Sequence, residues 1–219
     1  MNTNIRWMAT ALSCVCLVLV SGCAYLPWHS AQPPVSADWC ADAVLFSMHS
    51  VRSYEQGTSY SSLENDLDAS DVSYRQLYPA LSIADMHTLL NDVTTHHRPR
   101  FAAAQTVVQA CNARNHAPAP DYAPAYLSSP RSDEWCGQAT DFAMGMAGYR
   151  DIGFPEKQME ASVSLDPDWL KEVFPALEGP DETRLVQAVY TQGWSRYAAA
   201  DALAHACKVS VSTAMQPPS

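Results

Sequence analysis

The residues best suited to chemistry are two adjacent histidines, His96 and His97, which follow Asp92 by about one helical turn. Imidazole and carboxylate groups are common metal ligands, so this spacing suggests a metal site. Adjacent residues point about 100° apart on a helix, however, and do not easily share one ion. We therefore favour a solvated histidine cluster and predict neither a metal site nor a catalytic residue. A metal-dependent enzyme that uses His96 and His97 stays as an alternative.

Several function classes lack support in the composition and motifs. The 219 residues include 13 lysines and arginines against 23 acids, with a net charge of −10, so the chain lacks the basic field that nucleic acids require. With only 8 glycines it has no phosphate-binding loop, and no G-x-S-x-G, S-x-x-K or H-E-x-x-H spacing occurs. Hydrolase, nucleotide-binding and nucleic-acid-binding functions are therefore disfavoured.

The first 22 residues have the features of a signal peptide. A short segment with one cation, Arg6, precedes an apolar run from Trp7 to Val20, and small residues follow. The apolar run is shorter than the roughly 20 residues that cross a bilayer as a helix. We therefore predict a cleaved leader and not a transmembrane anchor.

The end of this leader, Val20-Ser21-Gly22-Cys23, resembles a bacterial lipobox. The resemblance implies that Cys23 receives a diacylglyceryl thioether, that cleavage occurs before it, and that the new amino terminus is acylated. Several acyl chains on one residue make a stable membrane anchor. Ala24 follows the cysteine, which in this pattern indicates the outer membrane. Cleavage removes one cation and no acid, so the net charge becomes −11, and the covalent lipid is the only attached group that we expect.

A gapless internal repeat covers most of the remaining chain. Residues 34–111 match residues 130–207 at a constant spacing of 96, including both Trp-Cys pairs, both Pro-Ala-Leu triplets and the closing cysteines. We infer a tandem duplication. The predicted organisation is a signal peptide at 1–22, a lipid anchor and tether at 23–35, a helical repeat at 36–111, a Pro-rich linker at 112–131, a second helical repeat at 132–208 and a tail at 209–219.

Four cysteines stay in the mature chain beside the lipidated one. They allow three pairings, and only Cys40–Cys111 with Cys136–Cys207 keeps each bridge within one copy of the repeat. Each bridge would join the first helix of a repeat to the last in an oxidising compartment. A redox or metal-binding role for these thiols is the alternative, but it lacks a C-x-x-C spacing and a matching histidine.

Helical periodicity dominates both repeats, and no convincing strand alternation occurs. Ser36 and Ser132 are suited to cap the first helix of each repeat, and Gly57 and Gly153 follow its end. We predict an all-α fold made of two tandem small helical-bundle repeats, each closed by one disulfide. Further helices are predicted at 61–67, 85–95, 102–111, 181–192 and 198–207, with a short helix opening at Asp166-Pro167 and breaks at Pro79 and Pro175.

Three charged identities recur between the repeats, whereas no histidine does. A structural interpretation places the recurring aspartates at helix starts and the recurring arginines in ion pairs. The functional interpretation is one recognition spot per repeat, which requires that the residues lie together, exposed and without internal partners. The six possible recognition residues are Glu64, Asp85, Arg100, Glu160, Asp181 and Arg196.

Three aromatic residues lie in the proline-rich segments: Trp28, Tyr122 and Tyr126. They are either binding anchors or side chains that pack back on the nearest helix, with lipid headgroups as a further contact for Trp28. We favour packing over binding.

The chain resembles helical bacterial lipoproteins with a Trp-Cys start, a helix ended by glycine and a closing cysteine, a resemblance that carries no assigned function. We expect a lipoprotein anchored in the outer membrane, facing the periplasm, that acts as a non-enzymatic interaction or adaptor module for a periplasmic or envelope protein. An immunity protein is the alternative, since small, acidic, disulfide-bonded helical folds are similar to those that neutralise type VI secreted amidases. Tight, salt-sensitive binding of one enzyme would distinguish it.

Overall fold

Ten α-helices lie within residues 34–69, 71–117, 130–165 and 167–207, which the computed structural model of the chain describes. No β-strand occurs in these ranges, so the all-α prediction is confirmed. Cys23, the predicted signal peptide, the predicted tail and the aromatic residues Trp28, Tyr122 and Tyr126 lie outside them. The helices are α1 (Ala37–Glu55), α2 (Tyr60–Ala69), α3 (Asp71–Leu77), α4 (Ile83–His96), α5 (Arg100–Asn115), α6 (Asp133–Asp151), α7 (Glu156–Leu165), α8 (Pro167–Val173), α9 (Gly179–Gln192) and α10 (Arg196–Ala206).

The helices fall into two sets of five with a constant offset. Each helix from α6 to α10 begins 96 positions after its counterpart among α1 to α5. We call α1 to α5 the first half and α6 to α10 the second half, and we call residues 96 positions apart counterparts. The offset supports the proposed duplication, which itself stays a prediction.

The long first helix of each half begins and ends in the same way. Ser36 and Ser132 each accept a hydrogen bond at 3.0 Å from the backbone N–H three residues later, which satisfies one of the free donors at the helix start. After each helix the chain turns at a glycine with positive φ, +94° at Gly57 and +93° at Gly153. Side chains other than glycine rarely adopt this conformation. The predicted caps and stops are therefore confirmed.

Two disulfides fix the first helix of each half to its last helix. Cys40 is bonded to Cys111 and Cys136 to Cys207, as predicted, with Cα atoms 6.1 and 6.0 Å apart. All four cysteines are buried. Each bridge closes a loop of 71 residues, which in the chain-entropy model stabilises the fold by roughly 4 kcal/mol.

Four central helices bring the two halves together. Within the halves α1 packs on α5 and α6 on α10, and between them α1 packs on α10 and α5 on α6. The buried side chains of both halves form one continuous hydrophobic core. The outer helices lie against this centre, with α4 on α1 and α2, and α9 on α6 and α7. The two predicted repeats therefore pack directly against each other.

Helix α5 extends into the segment that is predicted as a linker. The linker is expected from residue 112, but α5 continues through Asn115. Asn112 donates to Asp201 at 2.7 Å and accepts from the Tyr197 hydroxyl at 2.6 Å, and Asn115 exchanges two hydrogen bonds with the backbone of Val35. These contacts, which span 80 to 89 positions of sequence, stabilise a last helical turn that the local pattern does not indicate.

Candidate functional site

Asp85 and Asp181, two of the six possible recognition residues, hold the first helix of each half. Oδ2 of Asp85 accepts from the indole Nε1–H of Trp39 at 3.3 Å, and Oδ2 of Asp181 accepts from that of Trp135 at 3.0 Å. Asp85 also forms a capping box with Ser82, in which each side chain accepts from the other residue's backbone N–H. Both aspartates therefore have internal partners.

Arg100 and Arg196 lie at the junction between the halves. Nη2 of Arg100 lies 2.7 Å from Oε2 of Glu55. The side-chain carbons of Arg100 pack on Gly137 of α6, where a Cβ added to the glycine would stand 3.3 to 3.4 Å from them. Nη1 of Arg196 lies 3.1 Å from Oδ1 of Asp42 on α1, an ion-pair distance without the alignment of a hydrogen bond. Each arginine therefore contacts the first helix of the other half.

Asp42 is a junction residue that the sequence analysis missed. It is fully buried, and its Oδ2 accepts from the backbone N–H of Ala80 at 2.9 Å. Burial raises the pKa of this carboxyl, and the Ala80 N–H and Arg196 oppose the rise. Its counterpart Gln138 accepts from the N–H of Ala176 at 2.7 Å. Because the two residues differ in type, a search for recurring identities does not find this shared contact.

The recurring glutamates are the most exposed members of the predicted set. Glu64 is exposed on α2. Glu160 is half-buried on α7 and accepts from Nε2 of Gln187 on α9 at 2.9 Å. The contact of Glu160 with Gln187 involves none of the other recurring charges.

The recurring charges of a half do not converge on one spot. Asp85 contacts Trp39 near the start of α1, whereas Arg100 contacts Glu55 at its end. Glu55 follows Trp39 by 16 positions on this helix, a distance of roughly 24 Å along the axis. The contacts of the two aspartates and the two arginines match the structural interpretation, and a recognition role for the six residues stays untested.

The histidine cluster is occupied by protein contacts. Nδ1 of His96 lies 3.1 Å from Oδ1 of Asp92, and Nε of Arg98 lies 3.3 Å from Oδ2 of the same carboxylate. His97 ends α4 in the left-handed conformation, with φ +47°. Within the described ranges no group of three or more histidine, cysteine, aspartate or glutamate side chains is placed to hold a metal ion.

A hydrogen-bonded chain of three side chains links the halves at a place that the sequence analysis did not find. Nδ1 of His49 lies 2.7 Å from the Tyr78 hydroxyl, and Nε2 lies 3.4 Å from Oδ1 of Asp141 on α6. Burial raises the pKa of Tyr78, so the phenol stays protonated and can donate to Nδ1 of His49, an arrangement in which an N–H at Nε2 faces Asp141. His49 and Asp141 lie 92 positions apart, and no local pattern connects them.

His49 and Tyr78 of this hydrogen-bonded set line a groove of about 540 Å³ between α1, α2, α3 and α4. We call it the first-half groove and define it by Phe46, His49, Leu63, Asp66, Leu77 and Tyr78. Phe46, Leu63 and Tyr78 form a buried apolar floor, and the Phe46 and Tyr78 rings meet edge to face at 5.3 Å. Leu77 is 66% exposed at the rim, where the Asp66 carboxylate is also exposed. The groove therefore combines an apolar floor with an acidic rim.

Similarity to known proteins assigns no function to this groove. The chain matches no family model, no curated protein and no solved structure. Among the helices in the described ranges, none is long and apolar enough to cross a membrane.

Proposed function

We propose that the chain is a lipoprotein of the bacterial envelope, anchored through Cys23 in the outer membrane and facing the periplasm. The lipobox-like sequence that ends in Cys23 supports the anchor. The two disulfides support an oxidising compartment, because such bonds persist in the periplasm and are rare in the cytosol.

The helical body acts as a non-enzymatic interaction module, and the first-half groove is the observation that carries this proposal. Leu77 stands 66% exposed beside a buried apolar floor, and exposed apolar surface rimmed by polar residues is typical of protein interaction sites. Asp66 adds negative charge to the rim of a chain with a net charge of −10. The groove therefore fits a segment of a periplasmic or envelope protein in which an apolar side chain lies next to lysine or arginine.

The hydrogen bonding of His49 favours binding over catalysis. Both of its ring nitrogens have protein partners, Tyr78 and Asp141. A general base needs a nitrogen that can reach the substrate. The chain of contacts instead holds the wall of the groove against α6.

Photo-crosslinking tests the groove in cells. A photoreactive residue at position 77 of the full-length, lipidated protein is compared with the same residue at position 165, because Leu165 is 83% exposed and lies on the second half. Asp66→Lys, which reverses the rim charge on an exposed side chain, serves as the matched variant. Products are identified by mass spectrometry.

We expect one envelope protein to be crosslinked from position 77, not from position 165, and to be lost with Asp66→Lys. Capture of a secreted hydrolase by the same pattern would replace the adaptor function with the immunity alternative. No product from position 77, or equal products from both positions, would overturn the interaction proposal.

The lipid anchor has its own test. Cells that express the protein are fed a fatty acid with an alkyne tag, and outer-membrane and soluble fractions are separated. We expect tagged protein in the outer-membrane fraction and no tag on Cys23→Ser. A tag that persists on Cys23→Ser, or an untagged wild-type protein in the soluble fraction, would contradict the proposal.

A further inference from the structure

A second groove, of about 510 Å³, opens between α7, α8 and α9. We call it the second-half groove and define it by Val163, Ser164, Lys171, Leu177, Gly179 and Glu182. The two grooves are lined by different parts of their halves. Among the lining residues, only Val163 and Leu67 are counterparts of each other.

The wall of the second-half groove contains a buried carboxylate. Glu182 is only 3% exposed, and its counterpart Met86 is fully buried. In the part of the chain that the structure describes, no hydrogen bond reaches this carboxylate, and its charged neighbours are Asp181 and Lys171. Burial and Asp181 raise the pKa of Glu182, and Lys171 lowers it. A methionine would fill this place without the cost of burying a charge, so a glutamate in the wall of a groove is a candidate for ligand binding.

The equivalent place in the first half is closed. There His87 on α4 reaches Asp68 on α2, with Nε2 and Oδ1 3.0 Å apart. The counterparts are Thr183 and Ser164, whose hydroxyls donate to backbone carbonyls of their own helices at 3.0 and 2.9 Å. No side chain pair of this kind therefore bridges α7 and α9 at these two positions.

The amino-terminal end of α9 also differs from its counterpart. The capping box of Ser82 covers the start of α4, whereas Glu178 makes no side-chain cap at the start of α9. A Cβ at Gly179 would meet nothing within 4 Å. The first turn of α9 contains the acids Asp181 and Glu182 and a proline, so the positive charge available to a ligand in this groove comes from the exposed Lys171.

We propose that the second-half groove binds a small zwitterion of the size of a free amino acid. Its ammonium contacts the Glu182 carboxylate, and its carboxylate lies against Lys171. Val163 and Leu177 in the lining fit an aliphatic side chain, so free leucine is the suitable probe. The proposal does not depend on the protein partner of the first-half groove.

The test measures leucine binding to the full-length, disulfide-bonded protein in detergent by isothermal titration calorimetry and saturation-transfer NMR. Leucinamide, which lacks the carboxylate, and N-acetylleucine, which lacks the ammonium, are the matched ligands. Glu182→Met places the counterpart residue in the wall and therefore keeps the packing. Glu172→Gln removes an equal charge from an exposed position on α8 and is the control variant.

We expect leucine to bind the wild type and Glu172→Gln alike, and Glu182→Met about tenfold or more weakly, because a charge-assisted contact is lost. Both altered ligands should bind less well than leucine. Lys171→Met should weaken leucine but not leucinamide, a result that does not depend on the folding of Glu182→Met. Absence of leucine binding, equal binding by Glu182→Met, or equal binding of N-acetylleucine would overturn the proposal.

Discussion

The two halves are alike at the centre of the molecule and differ at its periphery. The central helices share a serine cap, a Trp–Asp hydrogen bond and a disulfide at counterpart positions. At the periphery, the first half has a groove bordered by His49, whose counterpart is Gly145, and the second half has a groove with Glu182, whose counterpart is Met86. The shared contacts thus belong to the scaffold, whereas His49 and Glu182, which have no counterpart of the same type, mark the candidate binding surfaces.

The junction shows how a shared contact can carry different charges. Arg196 meets the buried carboxylate of Asp42 in the other half. The counterpart of Asp42 is the neutral Gln138, and Arg100 instead pairs with Glu55 of its own half. The counterpart backbone N–H groups of Ala80 and Ala176 are satisfied in both halves, so the backbone contact is kept, whereas only Asp42 adds an ion pair to the other half.

Removal of a disulfide should have the largest effect and should be equal in the two halves. Because each bridge closes a loop of 71 residues, Cys40→Ser with Cys111→Ser, or Cys136→Ser with Cys207→Ser, should lower the free energy of unfolding by up to about 4 kcal/mol. Urea unfolding followed by circular dichroism measures both. A loss from one pair only would mean that the halves depend on their bridges unequally.

Asp42→Ala should cost about 3 kcal/mol, because it leaves the Ala80 N–H and Arg196 without their buried partner. Asp42→Gln copies the counterpart residue, keeps the acceptor and should cost less. Gln138→Ala, which removes only a backbone contact, should cost about 1 to 2 kcal/mol. Chemical unfolding of the three variants ranks them, and equal losses from Asp42→Ala and Gln138→Ala would show that the ion pair adds nothing.

The turns after α1 and α6 should respond alike to alanine. Gly57→Ala and Gly153→Ala place a Cβ at φ near +94° with no neighbouring atom within 4 Å, so the cost is backbone strain alone, about 1 kcal/mol each. Thermal unfolding of the two variants measures it, with Gly145→Ala in mid-helix as a control that should stabilise the fold by about 0.5 to 1 kcal/mol. A difference of more than about 1 kcal/mol between the two turns would contradict their equivalence.

The features predicted from the sequence are those that follow from local pattern and from the constant spacing between the halves. The caps at Ser36 and Ser132, the glycine turns and both disulfides follow from residue types and from the constant spacing of 96. The contact of His49 with Asp141 depends on how the halves pack, so no local pattern indicates it. A signal for Glu182 was present, since an acid aligned with Met86 is unexpected at a core position.

Glu182→Met should have the smallest effect on stability, and that effect should depend on pH. Because burial raises the pKa of Glu182 above its ordinary value of 4.5, the folded state holds the proton more tightly than the unfolded state. The stability that this group contributes is therefore present at low pH and is lost as the pH rises through 4.5 and the higher pKa of the folded state.

Methionine does not titrate, so Glu182→Met should be more stable than the wild type by about 1 kcal/mol near neutral pH and about equal to it below the ordinary glutamate pKa. Urea unfolding at both pH values measures the difference, with Glu172→Gln as the exposed control. A variant less stable than the wild type at neutral pH would mean that Glu182 supports the fold of the second half, as Met86 does in the first, and that the buried carboxylate needs no ligand to explain it.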